Sequence, residues 1–295
     1  MRKTLMATMI LAWPALASAR GVVVSPVQLG MAGAAGATVS DVLTVSPARD
    51  EQTRVRVRLA DFTKDEDGKV RELAPGANPR SCKGWIEVDQ AEFTTAGTGA
   101  PIQVRVTARI PAGASGSYWA IVGLEVPPPP NAAGQGAAIA VVPRVAIPVI
   151  VTVTGTERRA VSIGDVRARR GSAQGPIECS AVVENSGNVA VLIRGAFSLE
   201  RPGKDPADDL ELASGEVGPL TSLPGTKMRV ATHLTWAGPS AGLVVQSYLR
   251  YGPEAEEAVQ ASAAVEEEGT AAGSAAPRRL VPEAPAPTAS PKPAP

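Results

Sequence analysis

The chain has 295 residues, and its 29 Lys and Arg side chains balance its 29 Asp and Glu side chains, so the formal net charge at pH 7 is zero. A balanced charge gives no electrostatic footprint for nucleic acid. With one histidine and two cysteines, the chain is also poor in the side chains that most metal sites and nucleophilic enzymes need. We therefore expect a protein that is not an enzyme, holds no cofactor or metal, and takes no small-molecule substrate.

Residues 1–19 have the organisation of a secretory signal peptide. Arg2-Lys3 precedes an apolar run over residues 5–13, and Ala17-Ser18-Ala19 supplies a small-residue cleavage site. The run is too short to span a bilayer, and we expect no transmembrane segment later in the chain. Such a signal peptide would direct the protein to the periplasm, or alternatively to the cell surface, and cleavage after Ala19 would leave Arg20 as the first residue. Export would permit a disulfide between Cys82 and Cys179, but the sequence is equally compatible with two separate thiols.

The segment after the signal peptide is dominated by strands with a period of two. Charged and apolar residues alternate over residues 54–59 and 102–107, and residues 42–45 and 118–126 have the composition of further strands. Turn signals such as Asp65-Glu66-Asp67-Gly68 separate them. No convincing amphipathic helix interrupts the series, so residues 20–155 are predicted to form an antiparallel β-sandwich of the immunoglobulin type.

The longest alternation lies at the end of this domain, over residues 139–153. Pro143 and Pro148 cannot donate hydrogen bonds to a neighbouring strand, so this strand is expected at a sheet edge or at a crossing between sheets. Soluble proteins normally avoid a long apolar edge strand, which makes it a candidate for binding a partner. The predicted partner-binding residues are Ile139, Val141, Arg144, Val145, Ile147 and Val149.

A second domain is predicted over residues 156–266. Strand patterns recur over residues 177–183, 189–199, 228–234 and 243–248, again with turn residues between them. Beyond residue 266 the composition changes to Pro and Ala, and residues 267–295 are expected to be an extended, disordered tail. The predicted fold is therefore all-β, with two immunoglobulin-like sandwiches in tandem.

Three local patterns have both a functional and an ordinary interpretation. Gly238-Pro239-Ser240-Ala241-Gly242 fits the nucleophile elbow G-x-S-x-G, but strands flank it on both sides and His233 precedes the serine, so a hairpin turn is favoured. Asp65-Glu66-Asp67-Gly68 resembles the opening of a calcium loop without its later acidic ligands, which favours a solvated hairpin turn. The arginine rows Arg54/Arg56/Arg58 and Arg105/Arg109 are expected to be solvated strand faces rather than a binding site for an anionic polymer.

In its order of elements, the first domain resembles the N-terminal domain of periplasmic pilus chaperones, the PapD-like family. The resemblance covers residues 21–153. It depends on short matching segments: Val24-Ser25-Pro26, Trp85-Ile86-Glu87-Val88, Gly116-Ser117-Tyr118-Trp119-Ala120 and Arg144-Val145-Ala146-Ile147-Pro148-Val149. The second domain resembles only a generic immunoglobulin-like module.

The resemblance implies a two-domain chaperone that lends its last N-domain strand to a pilin-like subunit and so completes the sheet of that subunit. Family members also anchor the subunit through a basic pair. The arginine of that pair corresponds to Gln28 here and the lysine to Ala146, whereas Arg144 lies two residues earlier on the same face as Ala146.

Two functions from different classes follow from these observations. One is an exported chaperone that binds fibre subunits through the strand over residues 139–153. The other is a structural or adhesive protein of the cell envelope, in which this strand is covered and the tail makes the contacts. A neighbouring strand on the outer side would distinguish the second from the first.

Overall fold

The structure of the protein, a computed structural model, describes residues 17–19, 21–48, 52–97, 99–127, 142–172, 174–252 and 255–267. Within these ranges the chain consists of β-strands and loops, with two short 3-10 turns at Lys83–Trp85 and Pro206–Asp208. The predicted all-β, immunoglobulin-like class is therefore confirmed. The tail and most of the predicted signal peptide lie outside the described residues.

Close backbone contacts divide the chain into two compact units. The first comprises Met1–Val161, Asn185–Val191 and Thr221–Met228, and the second comprises Ser162–Glu184, Leu192–Leu220 and Arg229–Pro295. The predicted domain boundary between residues 155 and 156 stays a prediction.

The strands of the first unit form two sheets that face each other. Their bounds are β1 (Ala17–Ala19), β2 (Val22–Ser25), β3 (Leu29–Gly33), β4 (Thr38–Pro47), β5 (Arg54–Lys64), β6 (Val70–Leu73), β7 (Ile86–Val88), β8 (Glu92–Thr94), β9 (Ile102–Arg109), β10 (Gly116–Glu125) and β11 (Arg144–Val153). One sheet has the order β1-β2-β4-β9-β7. The other has the order β3-β11-β10-β5-β6, with β8 also paired to β5.

The alternation seen in the sequence places one apolar row of each strand between the two sheets. Fully buried members of this shared core include Leu43, Val45, Val104, Val106, Ala120, Val122, Leu124, Ile147, Val149 and Val151. Burying a side chain of this size contributes about 1.5–3 kcal/mol, so these rows are sufficient to fix the register of each strand.

The outer face of the second sheet differs from one end to the other. At one end Ala60, Phe62, Trp119, Ile121 and Ile150 form a smaller buried cluster with Leu223 of the same unit. At the other end the same faces of β5, β10 and β11 carry charged side chains. This charged end is the one where β11 begins.

The remaining strands form a single hydrogen-bonded series. Their bounds are β12 (Val161–Arg170), β13 (Ile177–Asn185), β14 (Val191–Arg201), β15 (Leu210–Ser222), β16 (Lys227–Leu234), β17 (Val244–Tyr251) and β18 (Glu257–Glu267), in the order β15-β14-β17-β18-β12-β13-β16. β18 pairs antiparallel with β17 and, over its last residues, parallel with β12. The strands β15 and β18 were not predicted from the sequence.

The turn between β5 and β6 is the hairpin turn expected at Asp65-Glu66-Asp67-Gly68. A carboxylate oxygen of Asp65 accepts hydrogen bonds from the backbone N–H groups of Asp67 and Lys69, at 3.1 and 2.9 Å. Slight burial acts to raise the pKa of Asp65, but the bonds from Lys69, Arg71 and Asp67 outweigh it and lower that pKa. The carboxylate is therefore engaged in closing the turn.

The two cysteines are separate thiols. Cys82 in the first unit and Cys179 in the second are both buried and both free. Burial raises the pKa of each thiol to about 12, because a thiolate is poorly solvated in an apolar core. Of the two alternatives left open by the sequence, the structure has the unbonded pair.

Candidate functional site

The strand β11 is covered on one side along its whole length and on the other side only in part. It pairs antiparallel with β10 from Arg144 opposite Glu125 to Val153 opposite Gly116. On its outer side it pairs with β3, in parallel, only over Val149–Val153. No other strand in the described part of the chain pairs with Arg144–Pro148. We call the outer side of Arg144–Pro148 the open edge.

Hydrogen bonds at the two ends of β11 show which backbone groups face the open edge. The N–H of Val126 donates to the C=O of Pro143 at 3.0 Å, and the N–H of Thr154 donates to the C=O of Gly33 at 2.9 Å. In antiparallel pairing, successive residues direct their backbone groups to opposite sides. Pro143 thus faces β10 and Thr154 faces β3, so Arg144, Ala146 and Pro148 direct their backbone groups to the open edge.

The position of Pro148 in β11 explains how a ten-residue strand can contain a proline. Its missing N–H falls on the outer side of β11, where it interrupts no bond to β10. Prolines within sheets are confined to such positions. The open edge therefore presents N–H and C=O groups at Arg144 and Ala146 but only a C=O group at Pro148, which is itself buried.

The predicted partner-binding residues differ in where they lie. Val145, Ile147 and Val149 point into the core of their own unit, with 7%, 0% and 0% exposure. Arg144 lies on the opposite face, with a side chain that is 22% exposed. Ile139 and Val141 lie outside the described residues. The apolar side chains of Val145, Ile147 and Val149 therefore pack in the core of the sandwich to which β11 belongs. The groups of β11 that are exposed at the open edge are backbone N–H and C=O groups.

The two positions that correspond to the basic pair of pilus chaperones can also be located. Gln28 is half-buried and immediately precedes β3, and Ala146 is exposed at the centre of the open edge. The basic side chain on that stretch of β11 is Arg144.

Arg144 belongs to a charged group at the beginning of β11. Its guanidinium forms an ion pair with Glu72 and lies 4.0 Å from a carboxylate oxygen of Glu125. Glu125 also lies 3.6 Å from Arg58. Gly123 provides the space, because a Cβ added there would lie 2.6 Å from Nε of Arg144. The sequence reasoning missed Gly123, Glu125 and Glu72.

The arginines at alternate strand positions form ion pairs on exposed faces. Arg54 and Arg56 both pair with Glu92, and Arg109 pairs with Glu87 at 2.9 Å. The hydrogen bond from Arg54 and the positive charges beside it lower the pKa of Glu92. These rows are strand faces with local charge partners, as the sequence suggested.

The segment that fits G-x-S-x-G lies between β16 and β17. The hydroxyl of the buried Ser240 donates a hydrogen bond to Glu267 and also lies 3.4 Å from the guanidinium of Arg170, whereas His233 is exposed on β16. The prediction of a hairpin turn was wrong in one respect. β16 and β17 are not neighbours in the sheet, so the segment is a connection between distant strands.

The strand β1 coincides with the predicted cleavage site. Ala17–Ala19 pairs antiparallel with β2 and comes within 8 Å of β11, measured between Cα atoms. Cleavage after Ala19 would remove β1 entirely.

Among the described residues, no group of three or more His, Cys, Asp or Glu side chains is arranged so that it could hold a metal ion. Among the same residues, no helix has the length and apolar character needed to cross a membrane.

Comparison with solved structures shows likenesses in fold at low sequence identity. The class 5 fimbriae chaperone CfaA is 13% identical, with a TM-score of 0.44, and the match covers 81% of this chain and 97% of that one. The YadV chaperone is 11% identical, with a TM-score of 0.42 and coverage of 82% and 98%. A chain of the Salmonella enterica complex of SafA pilin with the SafB chaperone is 13% identical, with a TM-score of 0.40 and coverage of 80% and 92%.

No protein-family model matches the chain, and no curated protein matches it in sequence.

Proposed function

We propose that this chain is a non-enzymatic assembly chaperone of the periplasm, which binds a subunit of a pilus or another surface fibre by accepting a strand of that subunit along its open edge. The observation that carries the proposal is the outer side of β11. Arg144 and Ala146 direct N–H and C=O groups outward, and no described strand takes them up.

The physics of sheet edges supports this interpretation. Unpaired backbone groups in a row form a template for another strand, and strand addition gains its affinity from main-chain hydrogen bonds. Val145 and Ile147 are fixed in the core, so the edge is rigid before a partner arrives. A preorganised edge loses little conformational entropy on binding.

The class of partner follows from two sequence observations. The signal-peptide pattern of residues 1–19 supports export, and exported fibre subunits would meet the chaperone in the periplasm. The resemblance of residues 21–153 to pilus chaperones supports a pilin-like subunit as the partner. Neither observation names the subunit.

A structural or adhesive role in the envelope remains the second candidate, and one observation favours it. β3 covers Val149–Val153, and the side chains of Val145, Ile147 and Val149 fill the core of their own unit. In that account β11 is an ordinary strand, and any contact with other proteins lies elsewhere in the chain.

A single backbone change distinguishes the two candidates. Replacing Ala146 with Pro removes the outward N–H at the centre of the open edge but leaves the bonds to β10 intact. Ala146→Ser is the matched control, because Ala146 is exposed and serine retains the N–H.

Each variant, expressed with its own signal peptide, is captured from the native envelope beside the wild type, and bound proteins are identified by mass spectrometry. We expect a small exported subunit with wild type and with Ala146→Ser, and its loss with Ala146→Pro. Thermal unfolding of each captured protein checks that it is folded. Equal capture by both folded variants would exclude strand addition at this edge and leave the envelope role.

A further inference from the structure

The charged group at the beginning of β11 indicates what kind of strand the open edge accepts. On the outer face of the sheet, opposite charges alternate from strand to strand. Glu125 of β10 lies opposite Arg56 of β5 on one side and opposite Arg144 of β11 on the other. The next place in this row, beyond Arg144, is the position that an added strand would occupy.

The charged group extends from β11 across β10 and β5 to β8 and β6. Among the described residues it contains fewer carboxylates than arginines. Arg54 and Arg56 share Glu92, whereas Arg58 and Arg144 share Glu125. The remaining carboxylate among the described residues of the group is Glu72, which pairs with Arg144. Four arginines thus face three glutamates, so the group carries an excess of positive charge.

The guanidinium of Arg144 is held in place with part of its bonding capacity unused. Its Nε and Nη2 atoms are buried and have no hydrogen-bond partner. A buried donor without a partner is costly, so a rearrangement that provides an acceptor is favoured. Because Gly123 has no side chain, the guanidinium lies against the backbone of β10, on the side of β11 away from the open edge, and an acceptor on an added strand would draw it outward.

Pro148 limits how far an added strand can pair. It offers no N–H to the open edge, and from Val149 onward β3 occupies the outer side of β11. An added strand can therefore pair only with Arg144–Pro148 and must end where β3 begins. Opposite these five residues, the side chains of the added strand alternate between the outer face and the interior of the sandwich.

From this row, and resting on the proposed function, we propose that the open edge selects a short partner strand with an acidic residue opposite Arg144 and apolar residues opposite Val145 and Ile147. The acidic residue extends the alternation of charge across the sheet by one strand, since opposite charges on neighbouring strands stabilise their pairing. The apolar residues lie on the face that packs into the sandwich. Either strand direction satisfies this pattern.

Synthetic peptides test the proposal without knowledge of the natural subunit. The probe is a fluorescently labelled nonapeptide, Ser-Val-Thr-Val-Glu-Val-Thr-Val-Ser, which has the same residue order in both directions. A parallel and an antiparallel peptide therefore present the same side chains. Its counterparts carry Gln or Lys in place of the central Glu. Binding to the exported full chain is measured by fluorescence anisotropy.

We expect the Gln peptide to bind about threefold more weakly and the Lys peptide about tenfold more weakly than the Glu peptide, given the size of cross-strand charge effects. The difference should shrink in high salt and vanish in Arg144→Gln. It should grow in Gly123→Ala, because the added Cβ displaces the flexible guanidinium from β10 toward the open edge while the backbone stays in place. Loss of the preference in Gly123→Ala as well as in Arg144→Gln would contradict the placement of this charge beside the added strand.

The possible failures are distinguishable. If the three peptides bind wild type equally and Ala146→Pro abolishes all binding, the edge accepts strands without regard to charge, and only the acidic preference is overturned. If Arg144→Gln retains the preference for Glu, the preference has another origin and the proposal is wrong. If no peptide binds, the proposed pattern is rejected, and capture of a subunit from the envelope alone decides the proposed function.

Discussion

Arg170 is the residue whose burial has the clearest consequence for stability. Its side chain is 2% exposed and donates hydrogen bonds to the C=O groups of Gly238 and Trp236, both at 2.6 Å, and of Gly175 at 3.2 Å. These bonds fix the connection between β16 and β17, where the serine of the G-x-S-x-G pattern lies. The arginine thus gives this segment a structural explanation.

Replacing Arg170 with Met should lower the free energy of unfolding by about 3 kcal/mol, because three partly buried carbonyl groups lose their donor. Arg169→Met is the matched control, since Arg169 is exposed on the same strand, and it should change stability by less than about 0.5 kcal/mol. Urea unfolding measures both variants. Equal midpoints would show that the hydrogen bonds of Arg170 do not contribute to stability.

The buried thiol of Cys82 leads us to expect that the protein loses stability at alkaline pH. In the folded protein its pKa is raised to about 12 from 9.0, so the thiol stays neutral while an unfolded chain begins to ionise near pH 9. The stabilising contribution is therefore complete below pH 9 and is lost as pH rises toward 12.

Relative to Cys82→Ala, wild type should lose about 1.4 kcal/mol of unfolding free energy between pH 8 and pH 10. The comparison with the variant removes the contribution of the lysines and tyrosines, which titrate in both proteins. Urea unfolding of both proteins at pH 8 and pH 10 measures how their stability difference changes with pH. A difference between the two proteins that does not change with pH would mean that the thiol ionises as readily in the folded state as in the unfolded chain.

At the scale of the element, the two prolines near the start of β11 make a matched pair. Pro148 faces the open edge and Pro143 faces β10. Replacing Pro148 with Ala should add a third outward N–H and so lengthen the template for strand pairing, which promotes association between edges. Replacing Pro143 with Ala adds an N–H on the covered side and should have no such effect.

Sedimentation velocity over a range of concentrations measures this difference. We expect Pro148→Ala to self-associate at concentrations at which wild type and Pro143→Ala stay monomeric. Identical behaviour of the two variants would contradict the assignment of Pro148 to the open edge.

Much of the element pattern could be predicted from the sequence, because a half-buried strand carries its own period. Residues 54–59 and 102–107 alternate strictly and became β5 and β9. β18 was missed because its alanines and glutamates have low strand propensity. It is a strand because the neighbouring strand β17 pairs with its first eight residues, which is a tertiary effect.

The candidate site was predictable only in part for the same reason. The alternation of residues 145–153 and the two prolines indicated a strand near an edge. The coverage of Val149–Val153 by β3 could not be predicted, because that parallel pairing joins segments far apart in the sequence. Glu125 opposite Arg144 follows from the antiparallel pairing of two predicted strands, so this part of the charged row could have been found.

For the whole molecule, cleavage of the proposed signal peptide would determine which surface the first unit presents. Cleavage after Ala19 would remove β1, which pairs with β2 and approaches β11. The intact mass of the exported protein should therefore correspond to a chain that begins at Arg20. A mass that includes residues 17–19 would contradict the predicted cleavage site and leave β1 in the folded protein.

Under the proposed function, the outer backbone of Arg144 and Ala146 is free in the unbound chain and is taken up by a partner strand. Amide hydrogen exchange, resolved by residue, tests it directly in the exported protein alone and in its complex with the captured subunit. We predict that the amides of Val145 and Ile147, bonded to β10, exchange slowly in both states. Those of Arg144 and Ala146 should exchange rapidly in the free chain and become protected in the complex. Equal protection of all four amides in the free chain, or no change at Arg144 and Ala146 in the complex, would contradict the account.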